Sequence, residues 1–141
     1  MNRSQQLTLF GGIILIFSLF VPWATHTNPS LGLSESINGY STDGVFGGLF
    51  GFIIILIAVV YKGRPEKTYS YIVALLALVA FYITIRTITS VGQVIRASED
   101  ITNSIRIGPY ISILGALISF IGGIMKVPAS LHNQKMNPPR S

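Results

Sequence analysis

The sequence predicts an all-α integral membrane protein, a four-helix up-down bundle with N and C termini cytoplasmic, and three observations support it. Four stretches, about 7–23, 45–61, 69–91 and 108–127, are apolar and long enough to serve as spans. Half of the 141 residues are hydrophobic and only 11% are charged, with a mean hydropathy of +0.59, a composition suited to lipid. Lysines and arginines gather on one side of such a bundle: Arg3, then Lys62, Arg64 and Lys67, then Lys126, Lys135 and Arg140, against Arg96 and Arg106 on the other. That bias makes the 62–67 loop cytoplasmic and turns the loops 24–44 and 92–107 outward. The net charge of +5 then suits anionic lipid headgroups, and no nucleic-acid partner is called for.

The first span, LTLFGGIILIFSLF after a basic start, has the layout of a secretory signal, but Pro22 stands two positions before Ala24, where a small residue is needed. It is therefore expected to be an uncleaved helix. Gly11, Gly12 and Ser18 offer it close packing, Phe20 and Trp23 suit the outer headgroup layer, and Pro22 marks its end. In the outer loop 24–44, Asn38-Gly39 signals a tight turn and a small hairpin. Asp43 is placed to cap the second helix, with a cation or proton site as the alternative.

Gly44, Gly47, Gly48 and Gly51 make two overlapping GxxxG spacings in the second span. They fit contact with a neighbouring helix of the same chain, with a homodimer face as the alternative. Tyr61 closes this span at the inner interface, and Pro65 fixes a short turn. Tyr69 and Tyr71 open the third span at that interface, followed by Ala74, Ala77 and Ala80 in steps of three. Arg86 falls about 26 Å along this helix, near the outer surface, where it either snorkels to water or pairs with Glu99 or Asp100. Apolar spacing at Ile85, Ile88, Val91 and Ile95 carries the helix past the membrane surface.

Ser98 or Asn103 precedes the last helix as a cap, Pro109 suits its first turn, and Tyr110 sits at the outer interface. Within it Gly108, Ser112, Gly115, Ser119 and Gly122 recur at alternating steps of four and three, keeping one narrow seam on one side of the helix. Leu117 lies off that seam and can face lipid. Residues 128–141 form a short polar cytoplasmic tail. A faint echo between Asp43–Phe52 and Ile107–Ile118 is compatible with a parallel repeat of two hairpins.

The chemical inventory is mostly negative. There is no cysteine, so disulfides and thiolate sites are excluded. His26 and His132 fall on opposite sides in this topology and cannot share a metal. All five acidic residues lie outside the expected hydrocarbon core. Ser18, Thr84, Ser112 and Ser119 lack a neighbouring base and are expected to bond backbone carbonyls. No catalytic, metal or cofactor-binding residues are expected.

FVPWA at the end of the first span, INGYSTDG leading into the second, and IGPYISILGALISFIGGIM as the last together resemble small prokaryotic four-span integral membrane proteins of unknown function. That resemblance covers most of the chain and implies a bacterial cytoplasmic membrane, with no activity. The layout is also superficially similar to claudins, with a tryptophan near the first outer loop, but the paired loop cysteines are missing. The expected function is non-enzymatic, that of a small accessory or stabilising subunit of a membrane complex. A transport or channel module formed by oligomerisation is the alternative, and a membrane enzyme comes third. The expected partners are the lipid bilayer and other membrane subunits or further copies of the chain.

Overall fold

A computed structural model of the chain describes residues 3–28, 30–60, 67–97 and 102–125. In chain order these form α1 (Arg3–Ser18), β1 (Pro22–Asn28), β2 (Leu33–Asn38), a 3-10 turn (Gly39–Ser41), α2 (Gly44–Val60), α3 (Lys67–Ala97), β3 (Thr102–Ile105) and α4 (Gly108–Ile124). Small side chains set how the helices meet: Gly11, Gly12, Gly47, Gly48, Gly51, Gly115, Gly122 and Gly123 are all buried where one helix crosses another. The helices close a ring in which α1 packs against α2 and α4, and α3 against α2 and α4. Leu15, Ile54, Tyr69, Val73, Ala77, Ala80 and Ala116 fill its centre.

The expected all-α, four-span architecture does not hold. A three-stranded antiparallel sheet of order β2-β1-β3 joins the helices. Among the described residues only α3, over Tyr69–Ser90 with a mean hydropathy of 2.1, is long and apolar enough to cross a membrane. The multi-pass description falls with that finding. α2 and α4 are shorter apolar helices of 17 residues, about 25 Å long. α1 has 16 residues and begins Arg-Ser-Gln-Gln.

The physical reason is clearest at the first expected span. A continuous apolar run hides a change of backbone: the helix ends at Ser18, tightens through bonds from the Leu19 and Phe20 amides to Ile16 and Phe17, and becomes a strand at Pro22. Pro22 cannot donate a helical hydrogen bond, and Thr25 and Thr27 are β-branched.

β1 pairs with β2 through Thr25↔Ser36, His26↔Glu35 and Thr27↔Ser34, and with β3 through Thr25↔Ser104 and Ala24↔Ile105. Side chains alternate across a sheet. One face therefore carries the hydroxyls of Thr25, Thr27, Ser34, Ser36 and Ser104, and the other carries Ala24, Ile37 and Ile105. The expected hairpin is present, but it does not turn at Asn38-Gly39. It turns between Asn28 and Leu33, where the Asn28 side chain accepts from the Ser30 amide at 3.2 Å and Gly32 takes a positive φ of 64°. Asn38-Gly39 instead ends β2 and opens the 3-10 turn.

The expected tail 128–141, residues 62–66 of the expected inner loop and Tyr61 lie outside the described residues, as do Glu99 and Asp100.

Candidate functional site at the sheet and helix junction

The register of β1 against β2 slips between Pro22 and Ala24, so Trp23 is the extra residue of a bulge. Bulges re-aim side chains, and here the indole is sent into the junction of the sheet with the helices. Expected in the headgroup layer, Trp23 is instead only 2% exposed. Its Nε1 donates to the Ser18 carbonyl at 2.8 Å, satisfying one of the acceptors left over at the end of α1. Three glycines make room for the ring. A Cβ on Gly39, Gly44 or Gly108 would meet indole atoms well inside van der Waals distance, so the ring closes the ends of α2 and α4 against α1.

Three residues of the seam expected on α4, Gly115, Ser119 and Gly122, meet α1. A Cβ on Gly115 would lie 2.9 Å from the Leu15 amide and 3.0 Å from the Gly11 carbonyl, and one on Gly122 would lie 2.7 Å from the Thr8 amide. Ser119 is buried beside Gly11. Ser4 donates to the Gly122 carbonyl at 2.7 Å, tying the two helices at their far end. Ser112 faces α3, sharing a 3.0 Å hydrogen bond with Thr84, while Thr84 also bonds the Ala80 carbonyl.

On α2, Gly48 lies against Leu19, and Gly51 lies against the Gly12 carbonyl and Leu15, so both contacts are made within the chain. Gly47 is looser, with Ser112 Oγ as the nearest atom to an added Cβ at 3.5 Å.

The Thr84–Ser112 bond yields a measurable prediction. Thr84→Val and Ser112→Ala combined in a double-mutant cycle should couple by about 1 kcal/mol, the usual net worth of one intramolecular hydrogen bond. Thermal unfolding of the four variants in detergent measures it, and a coupling near zero would show that the pair contributes no stability of its own.

The remaining expected residues are more dispersed. Asp43 is exposed, and the hydroxyl of Thr42, not the Asp43 carboxylate, accepts the Gly44 amide at 3.2 Å. Arg86 is exposed near the sheet end of α3. Tyr69, expected at an interface, is buried in the core beside Thr8, while Tyr110 is exposed.

Two features escaped sequence reasoning. Ser4, Thr8, Gly11, Leu15 and Ser18 on α1 are all buried and repeat the four-three spacing of α4, a signal that was available. The second feature is Arg106. Its amide donates to the Trp23 carbonyl at 2.9 Å and its Nε to Thr25 Oγ1 at 2.6 Å. It stands in an open groove of about 760 Å³ with Thr25, Ser34, Ser36, Ile107 and Tyr110 on the walls. No group of three or more metal-ligating side chains occurs among the described residues.

In comparisons with known proteins, no family model and no curated protein matches the chain.

Proposed function

We propose that the chain is a non-catalytic accessory protein of the cell membrane, held there through the apolar surface of its helices, that stabilises a larger membrane assembly and presents its sheet to the water side. The observation that supports this reading is an inside-out distribution of side chains. Ser4, Gln5, Thr8, Ser18, Thr84, Ser112 and Ser119 are buried, whereas Phe10, Phe17, Phe52, Leu75, Tyr82 and Leu114 are exposed. A chain folded in water puts its large apolar groups inside, and an exposed apolar surface of this extent needs lipid or protein to cover it. Helices in lipid associate through small residues and hydrogen bonds, which are what the interior holds. The sheet end, with its serines, threonines and Arg106, is polar enough to stay outside.

Two measurements test this. Alkaline carbonate should leave the protein in the membrane pellet, and release into the supernatant would refute membrane anchoring. Purification from native membranes in mild detergent should bring down a fixed set of other membrane proteins, and recovery of the chain alone would refute the accessory role.

A further inference from the structure

We propose that the groove at Arg106 is a binding site for the phosphate headgroup of an anionic membrane lipid, whose acyl chain runs down the exposed face of α4. This rests on the membrane reading above.

Charge comes first. Arg106 is the cation of the groove among the described residues, and its bond through Nε to Thr25 fixes the guanidinium while leaving both Nη groups to donate. A guanidinium held in place is suited to gripping two oxygens of one phosphate. Only two carboxylates occur among the described residues, and neither lines the groove. Glu35 is paired across the strands with His26, on the opposite face of the sheet from Thr25. The walls near Arg106 supply the hydroxyls of Ser34 and Ser36, donors for the remaining phosphate oxygens. Among the described residues the pocket therefore has positive charge and donors without competing negative charge.

Continuity supplies the second half. Ile107 and Tyr110 form the groove's apolar wall and begin a line of exposed side chains with Leu114, Leu117 and Ile121 along α4. These residues recur at steps of three and four, so they lie on one face. A ligand that satisfies both halves has an anionic head and a long apolar tail. A soluble phosphate would use only the first half, and a zwitterionic lipid would bring its own cation against Arg106.

Trp23 is the sole tryptophan and its carbonyl holds the Arg106 amide, so its fluorescence reports on this site. The full chain is reconstituted in phosphatidylcholine vesicles containing a fixed small fraction of brominated phosphatidylglycerol or brominated phosphatidylcholine, and quenching is compared. Phosphatidylglycerol should bind about tenfold more strongly, the scale of one charge-assisted contact. Arg106→Gln should abolish the preference, Arg106→Lys should keep part of it, and Arg86→Gln should leave it unchanged. Ser34→Glu alters an exposed wall residue, keeps Arg106, and should also abolish the preference; it serves as the test if Arg106→Gln does not fold.

Equal quenching by the two lipids, or a preference that survives both Arg106→Gln and Ser34→Glu, would overturn the proposal. So would displacement of the lipid by millimolar glycerol phosphate, which would identify a site for free phosphate. Protein that stays in the pellet after carbonate but shows no lipid preference loses only this site, whereas protein released by carbonate loses the membrane reading itself.

Discussion

Trp23→Ala is expected to lower the unfolding free energy by about 3–5 kcal/mol, the range for truncating a large buried aromatic side chain. The loss should be near the top of that range because the ring is shared. Gly39, Gly44 and Gly108 all close on it, so removing it opens a void bordered by the 3-10 turn and the first turns of α2 and α4. Backbone held by its own helical bonds collapses poorly into such a void. The Ser18 carbonyl also loses its 2.8 Å donor inside the protein. Trp23→Phe separates the two contributions: it keeps much of the volume and should cost about 1–3 kcal/mol for the unpaired acceptor and the missing ring. Unfolding in detergent with increasing denaturant checks both. An alanine variant within about 1 kcal/mol of the parent would mean that the indole is not what joins sheet to helices.

The second large effect lies on the α1–α4 seam. Gly115→Leu should prevent the two helices from meeting, and Ser119→Leu should do nearly the same. At Gly115 the first atom of a side chain would already crowd the Leu15 amide and the Gly11 carbonyl, both backbone atoms that cannot rotate aside. Overpacking typically costs about 1–3 kcal/mol where neighbours can adjust. Here the helices must separate, so the stable outcome is loss of the folded form. Leu117→Phe is the control, since Leu117 is 44% exposed and a larger apolar group there should change stability by no more than about 0.5 kcal/mol. Equal melting of the three variants in detergent would show that α1 and α4 do not pack through this seam.

What could be read from the sequence depended on how local each signal was. The small residues of α4 repeat within one helix, so their seam was visible without knowing what filled it. The bulge at Trp23 was not, because it exists only once β1 has paired with β2. Hydropathy counts apolar residues without registering where a helix stops, so the run through Phe17, Phe20 and Val21 merged a helix end with the approach to a strand. The strands are short, and β3 has only four residues, Thr102–Ile105. Its pairing with β1 links residues as far apart as Arg106 and Thr25, 81 positions along the chain. Asn38-Gly39 was a real turn signal assigned to the wrong turn, since the side chain of Asn28 reverses the chain earlier. Arg106 was counted only as a charge on the outer side because its neighbours in space, Thr25 and Ser34, belong to a different loop of the sequence.

The bond between Ser4 and Gly122 spans 118 positions, and that separation governs the order in which the molecule can be made. α1 is synthesised long before the helix whose groove accepts Ser4, Thr8 and Gly11, and contacts so distant in sequence form late. Throughout that interval Ser4 lacks its final acceptor, whereas Thr8 and Ser18 bond carbonyls of their own helix. A chain halted before Gly108 should therefore leave the α4-facing side of α1 uncovered although none of its own residues has changed.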